Sequence, residues 1–178
     1  IVHGWHIRLL TRGNKSIPVN SHIEIFHGDL TNTIDWSGFI KNVDVIINCA
    51  GVIDDKKNIN AVNVEGSLRL LNASLGKVKR WVQLSSAGVY GIPGDTIINE
   101  KSPLKPITPY EISKAKFDKI LNDKAIQNKL DTVILRPTII FGSRMTNQSI
   151  FQLVSAIKRN IFFFIGSPGN WANYVHVN

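Results

Sequence analysis

Residues 81–91 read Trp-Val-Gln-Leu-Ser-Ser-Ala-Gly-Val-Tyr-Gly, and residues 108–121 read Thr-Pro-Tyr-Glu-Ile-Ser-Lys-Ala-Lys-Phe-Asp-Lys-Ile-Leu. The first stretch is a short apolar run that stops in two hydroxyls and a glycine-containing turn, which predicts a strand over Trp81 to Ser85. The second opens with the signals of a helix start. Thr108 is a capping residue, Pro109 suits the first turn, and Glu111 completes a Thr-x-x-Glu capping box. The register set by that start places Tyr110, Lys114, Phe117 and Leu121 at i, i+4, i+7 and i+11, on one face. A strand followed by a long helix with one apolar face is half of an α/β unit.

The same alternation extends in both directions. Apolar, β-branched runs at His6 to Thr11, His22 to Phe26, Val43 to Cys49 and Thr132 to Arg136 predict further strands. Helical patterns cover Asn58 to Leu75, Pro109 to Gln127 and Asn147 to Lys158, with a short piece near Thr33 to Ile40. The expected fold is therefore α/β, a Rossmann-like doubly wound parallel sheet with helices on both faces. One connection resists this pattern, because only about ten residues separate the first two strands, short for a helical crossover. Ile161 to Ile165 reads as a buried strand, and Tyr174 and His176 belong to another. With no repeat, low-complexity tract or linker, residues 1–178 are expected to form one domain.

Composition narrows the function classes. The 178 residues are 43% hydrophobic and 19% charged, and mean hydropathy is +0.01, which excludes a disordered chain. A single cysteine, Cys49, precludes an intramolecular disulfide. The five histidines show no zinc-ligand spacing with it, so no metal is expected. A reducing cytoplasm fits this cysteine usage, and Cys49 itself is expected to be a small buried hydrophobe. No apolar run approaches the ~18 residues of a membrane span, so no membrane partner is expected. The net charge of +8 favours anionic partners. The lysines are spread along the chain without a helix-turn-helix, zinc finger or RNA-binding aromatic motif, which favours an anionic dinucleotide or sugar nucleotide over nucleic acid.

Tyr110 and Lys114 carry the clearest chemistry. A nearby ammonium favours phenolate and lowers a pKa that starts near ~10, and such a tyrosine serves as general acid or base. Ser85 and Ser86 stand at the end of a predicted parallel strand, where open α/β sheets bind ligands.

The ordered run Leu84-Ser85-Ser86-Ala87-Gly88-Val89-Tyr90-Gly91, then Thr108-Pro109-Tyr110-Glu111-Ile112-Ser113-Lys114, resembles the extended short-chain dehydrogenase/reductase family of NAD(P)-dependent sugar-nucleotide epimerases and dehydratases. Gly28-Asp29-Leu30, Asn48-Cys49-Ala50-Gly51, Asn63-Val64-Glu65-Gly66, Leu135-Arg136-Pro137 and Asn173-Tyr174-Val175-His176-Val177 extend the resemblance almost end to end. The resemblance implies that Tyr110 is the proton donor or acceptor. It makes Lys114 the residue that binds the nicotinamide ribose and lowers the tyrosine pKa, and Ser86 the one that hydrogen-bonds the reacting oxygen, with Ser85 in reserve. It also implies cofactor contacts from Asp29 and Leu30 near the adenine, and from Cys49, Ala50 and Gly51 near the ribose and pyrophosphate. Asn63, Ser85, Lys114 and Pro137 complete the implied set. Asn63 is read equally well as holding a helix or a water.

The resemblance also marks departures. The family's first strand and Gly-x-x-Gly-x-x-Gly loop have no counterpart before Gly4, and most of its substrate domain has none after Asn178, so a chain truncated at both ends is expected. Gly88, Gly91 and Gly94 reproduce the glycine spacing, but Pro93 interrupts it and no helical pattern follows promptly, which argues against a phosphate loop there. Thr11-Arg12 stands where a carboxylate would favour NAD, and a guanidinium receives a 2′-phosphate, so NADP is the expected cofactor with NAD the alternative. The implied activity is hydride transfer on a nucleotide-linked sugar, epimerisation first, with a net reductase, a dehydratase or a 3β-hydroxysteroid-type dehydrogenase as alternatives. A non-catalytic dinucleotide-sensing or scaffold subunit is the rival from another class. A homodimer through the helices around Asn58 and Pro109 is also implied.

Overall fold

The computed structural model describes residues 4–13, 21–32, 35–92, 94, 97–143, 145, 149–163 and 173–177. It forms two compact units, residues 1–136 and 137–178. In the first unit, β1 (Ile7–Thr11) pairs in parallel with β2 (Ile23–His27), from Ile7 opposite Ile23 to Thr11 opposite His27. After α1 (Trp36–Ile40), a second parallel sheet has the order β3 (Val45–Asn48), β4 (Arg80–Leu84), β5 (Asp131–Leu135). Its register sets Val45 beside Arg80 and Arg80 beside Asp131. The short link between β1 and β2 thus joins parallel strands, as α/β order demands; residues 14–20 of it lie outside the described residues.

The crossover from β3 to β4 is a helix that begins as a π-helical segment, Ala61–Gly66, and continues as α2, Ser67–Ser74. Two local features accompany the widened turn. The Ser67 hydroxyl donates to the Val62 carbonyl five residues back at 3.3 Å, and Gly66 brings the backbone so close to Leu30 that an added Cβ would stand 2.8 Å from its carbonyl oxygen. From β4 the chain passes through a 3₁₀ turn, Ala87–Tyr90, to α3, Pro109–Asn128. α3 ends on Lys129 in the left-handed conformation, which turns the chain into β5.

The core lies between the β3–β4–β5 sheet and helices α2 and α3. Trp81, Leu71, Phe117 and Leu121 are fully buried, and the Trp81 and Phe117 rings stand 6.2 Å apart. Leu10, Phe26 and Trp36 extend this cluster toward β1, β2 and α1. Strand alternation puts Ile47, Val133 and Leu135 on the other face of the sheet, where they are 66%, 38% and 48% exposed. On the inner face the buried amides of Gln83 and Asn48 are paired. The Gln83 side-chain carbonyl accepts from Trp81 Nε1 (3.2 Å) and Asn48 Nδ2 (3.0 Å), and Asn48 Nδ2 also reaches the Ser67 hydroxyl at 3.1 Å.

In the second unit β6 (Ile139–Phe141) and β7 (Tyr174–His176) form a parallel pair connected through α4, Ser149–Lys158. The Phe141 ring meets Tyr174 and His176 edge-on, at 6.2 and 5.0 Å. Tyr174 and His176 are in a strand as expected, whereas Ile161 to Phe163 are not. They follow the helix in irregular, exposed conformation, because α4 ends at Lys158 and Asn160 takes a positive φ that redirects the chain. Phe164 and Ile165 lie outside the described residues. Among the described residues no helix is long and apolar enough to cross a membrane.

Candidate active site

Parallel strands deliver their carboxyl ends to one edge of a sheet, and the candidate residues stand at those ends. Asp29 follows β2, Cys49 to Gly51 follow β3, and Ser85 and Ser86 follow β4. Tyr110 and Lys114 enter from the first two turns of α3, whose capping box forms as expected. The Thr108 hydroxyl accepts from the Glu111 N–H (3.3 Å), and the Glu111 carboxylate accepts from the Thr108 and Ile107 N–H groups (2.9 and 2.8 Å). These bonds, that of the Thr108 N–H foremost, hold the Glu111 carboxyl below its ordinary pKa.

Lys114 is 3% exposed. Its ammonium donates to the Ala50 carbonyl at 3.2 Å and the Leu84 carbonyl at 3.0 Å, bridging the ends of β3 and β4. It also lies over the Tyr110 ring, 5.7 Å from the centroid. Burial pushes the Lys114 pKa down, against the opposing pull of Asp118 and Cys49. Burial pushes the half-buried Tyr110 phenol up. The expected lowering of the phenol pKa is therefore not found in this state: the ammonium faces two carbonyls and the ring, and desolvation decides the direction.

The two serines divide their work. Ser86 caps the 3₁₀ turn, its oxygen accepting from the Gly88 N–H at 3.1 Å. Ser85 is buried; its hydroxyl donates to Asp118 Oδ2 at 2.8 Å and its N–H to the Leu135 carbonyl at 2.8 Å. The turn closes at Gly91, where φ is 72° and a Cβ would overlap the Lys105 carbonyl. Gly88 and Gly91 thus build a 3₁₀ turn and a bend, and among the described residues no helix follows them before Pro109.

Asn63 anchors the β3 end. Its Oδ1 accepts from the Val52 N–H (2.8 Å), and its Nδ2 donates to the Val52 carbonyl (3.0 Å) and the Ser113 hydroxyl (2.9 Å). Ser113 in turn donates to the Tyr110 carbonyl at 2.6 Å. Asn63, presented by the π-helical segment, thus ties the loop after β3 to the start of α3.

At the β2 end, Asp29 Oδ1 accepts from the Thr31 N–H and hydroxyl, both at 2.8 Å, and its Oδ2 lies 3.7 Å from the exposed Arg12 guanidinium. The Thr31 backbone bond is the main reason its pKa falls. Leu30 is buried and its carbonyl accepts from Arg69 (3.0 Å). Cys49 is exposed, not buried: it alternates with buried Asn48 and so points to the open side of the sheet. Pro137 is the first residue of the second unit.

Two participants escaped the sequence reading. Asp118 is 1% exposed and accepts from Ser85 and from Arg136 Nε at 3.0 Å. Arg136 continues to the Tyr90 hydroxyl at 2.9 Å and lies 5.3 Å from that ring's centroid. An acid four residues after Lys114, on the helix face that also carries Phe117 and Leu121, was the available signal.

These groups fit a dinucleotide. An added Cβ at Gly51 would stand 3.2 Å from the Lys114 nitrogen, so glycine lets the ammonium lie close to this backbone without crowding. Lys114 spends two of its three N–H donors on carbonyls and keeps one for a hydroxyl. Exposed Arg12 supplies a cation beside Asp29.

The fold agrees with that of known proteins. A family model described as "NAD dependent epimerase/dehydratase family" matches residues 1–178. The Low-salt glycan biosynthesis protein Agl12 of Haloferax volcanii is 31% identical over 124 residues, 66% of this chain and 40% of that protein. The UDP-glucose 4-epimerase of Vibrio cholerae is 30% identical over 142 residues, 72% of this chain and 43% of that one. The chain thus spans less than half the length of these two relatives. Among solved structures, the UDP-N-acetylglucosamine 4-epimerase from Methanobrevibacter ruminantium, in complex with UDP-N-acetylmuramic acid, superposes with a TM-score of 0.78. It is 22% identical, over 96% of this chain and 61% of that one. The UDP-glucuronic acid 4-epimerase from Bacillus cereus, in complex with NAD, gives 0.70 at 22% identity, over 80% and 47%. At such identity the superpositions establish the fold, and with the family match along its whole length the chain belongs to the NAD dependent epimerase/dehydratase family.

Proposed function

We propose that this chain is the NAD(P)-binding part of an oxidoreductase that epimerises a nucleotide-linked sugar, with Tyr110, Lys114 and Ser86 as its proton-handling set. The observation that carries the reading is the Tyr110–Lys114 pair itself: one helix face brings a phenol to the end of β4 beside a buried ammonium pinned between two strands. When bound, the nicotinamide supplies hydride transfer. The chain's own part is positional and electrostatic. Tyr110 Oη exchanges a proton with a sugar hydroxyl, Ser86 holds that oxygen, and the remaining Lys114 N–H reaches a ribose hydroxyl. The same residues serve a net reductase, a dehydratase or a 3β-hydroxysteroid-type dehydrogenase; the relatives named for UDP-sugar epimerisation favour the first reading. A cytoplasmic site of action and pairing of two copies through the helices around Asn58 and Pro109 belong to the same proposal, the latter supported by exposed Ile112 and Ile126 on α3.

The direct test is incubation of the full chain with dinucleotide and a set of UDP-sugars, following the sugar by proton NMR. Appearance of the epimer is expected; dinucleotide binding without conversion of any nucleotide sugar would overturn the reading. NADP is the proposed dinucleotide because Arg12, 67% exposed, directly follows β1, where the adenosine ribose is expected. Arg12→Ala should lower the NADP-to-NAD affinity ratio by about tenfold, the loss of one charge-assisted phosphate contact. An unchanged ratio in titrations with both dinucleotides would refute the preference.

A further inference from the structure

We propose that Asp118 is a positioning residue for the Tyr110–Lys114 pair: one buried carboxylate oxygen fixes both the strand end whose carbonyl holds the Lys114 ammonium and the turn that presents Ser86. The inference rests on the function proposed above. Asp118 Oδ2 accepts from Ser85 at 2.8 Å. Ser85 directly follows Leu84, whose carbonyl receives Lys114. The same oxygen accepts from Arg136 at 3.0 Å, and Arg136 donates to the Tyr90 hydroxyl, the last residue of the 3₁₀ turn that Ser86 caps. Ser85 also bonds the Leu135 carbonyl. A single atom on α3 thus ties down the ends of β4 and β5 and the catalytic turn, one helical turn below Lys114.

Stability alone is a poor account of this arrangement. Among the described residues Asp118 Oδ1 is buried with no hydrogen-bond partner, and a buried ion pair is commonly replaced by apolar packing at no loss of stability. Burial raises the Asp118 pKa, with Ser85, Arg136 and Lys114 pulling it back. Among the described residues, the titratable groups facing Lys114 are Asp118 and Tyr110 from its own helix and Cys49 from the β3 end. Arg136 faces Asp118 from beyond β5, with Tyr90 behind it. Among these Asp118 is the sole carboxylate, so its charge favours the ammonium that burial disfavours.

The experiment titrates the Lys114 ammonium by NMR in the full chain with labelled lysines and without dinucleotide or sugar. The resonance is identified by its loss in Lys114→Met. Asp118→Asn keeps an acceptor oxygen for Ser85 and Arg136 and removes the charge. The Lys114 midpoint should fall by about one pH unit, a tenfold loss of proton affinity, in protein that unfolds cooperatively. A purely structural role would leave the midpoint in place, and an unchanged midpoint would overturn the proposal. Ser85→Ala keeps the charge and cuts the tether to β4; its midpoint should fall by a smaller amount, and it serves as the test where Asp118→Asn does not fold. An unchanged midpoint there also overturns the proposal. Failure of the parent chain to convert nucleotide sugars would count against the proposed function alone, since the titration needs no substrate.

Discussion

Tyr110→Phe is expected to lower turnover by about 10³-fold while leaving dinucleotide affinity within about twofold, the range general acid–base catalysis commands. The substitution removes one oxygen. The ring stays packed at the start of α3, and the Lys114 ammonium keeps its place over it, because its bonds go to Ala50 and Leu84 and not to the phenol. A 10³-fold loss corresponds to about 4 kcal/mol of transition-state stabilisation. Steady-state kinetics and a binding titration on the same preparation separate the two quantities, and turnover within about tenfold of the parent would remove Tyr110 from the mechanism. The same pair of proteins gives a spectroscopic check. Burial pushes the Tyr110 phenol up, so the phenolate absorbance missing from Tyr110→Phe should belong to a group titrating above the ordinary tyrosine value.

Trp81→Ala is expected to destabilise the fold by about 3–5 kcal/mol, the cost of truncating a large buried aromatic. Trp81 is fully buried in the middle strand of the three-stranded sheet, against Phe117 of the helix that carries Tyr110 and Lys114. Its indole N–H also satisfies Gln83, which in turn receives Asn48. The loss would take a large share of the roughly 5–15 kcal/mol that holds a domain folded. Urea denaturation followed by circular dichroism measures it, and a change below about 1 kcal/mol would show that the core does not depend on this ring.

Much of this was legible in the chain. The strands near β1 to β5 and the start of α3 were readable because period, capping and turn chemistry are local: Thr108, Pro109 and Glu111 set the helix register without reference to any distant residue. β6 was missed because three residues, Ile139 to Phe141, give too short a run to separate from a loop. Ile161 to Phe163 misled for the opposite reason: apolar composition predicts a strand, but a helix end and a left-handed Asn160 place the run in irregular backbone.

The site divides along the same line. The i, i+4 spacing of Tyr110 and Lys114 put both on one face, a consequence of helical pitch that needs no tertiary information. Where their polar atoms go was decided by elements far away in sequence. The Ala50 and Leu84 carbonyls take hydrogen bonds from the ammonium, burial raises the phenol instead of lowering it, and the exposed side of the strand takes Cys49 out of the core. Asp118 illustrates the limit best. Sequence placed an acid one turn beyond Lys114, and only the folded chain brought Ser85 and Arg136 to the same carboxylate oxygen from 33 and 18 residues away. The sequence by itself determined the α/β order, the helix register and which residue types meet at the strand ends, because those follow from local geometry. Tertiary structure decided which hydrogen bonds they make and which way their proton affinities move, because burial and long-range partners exist only once the strands have paired.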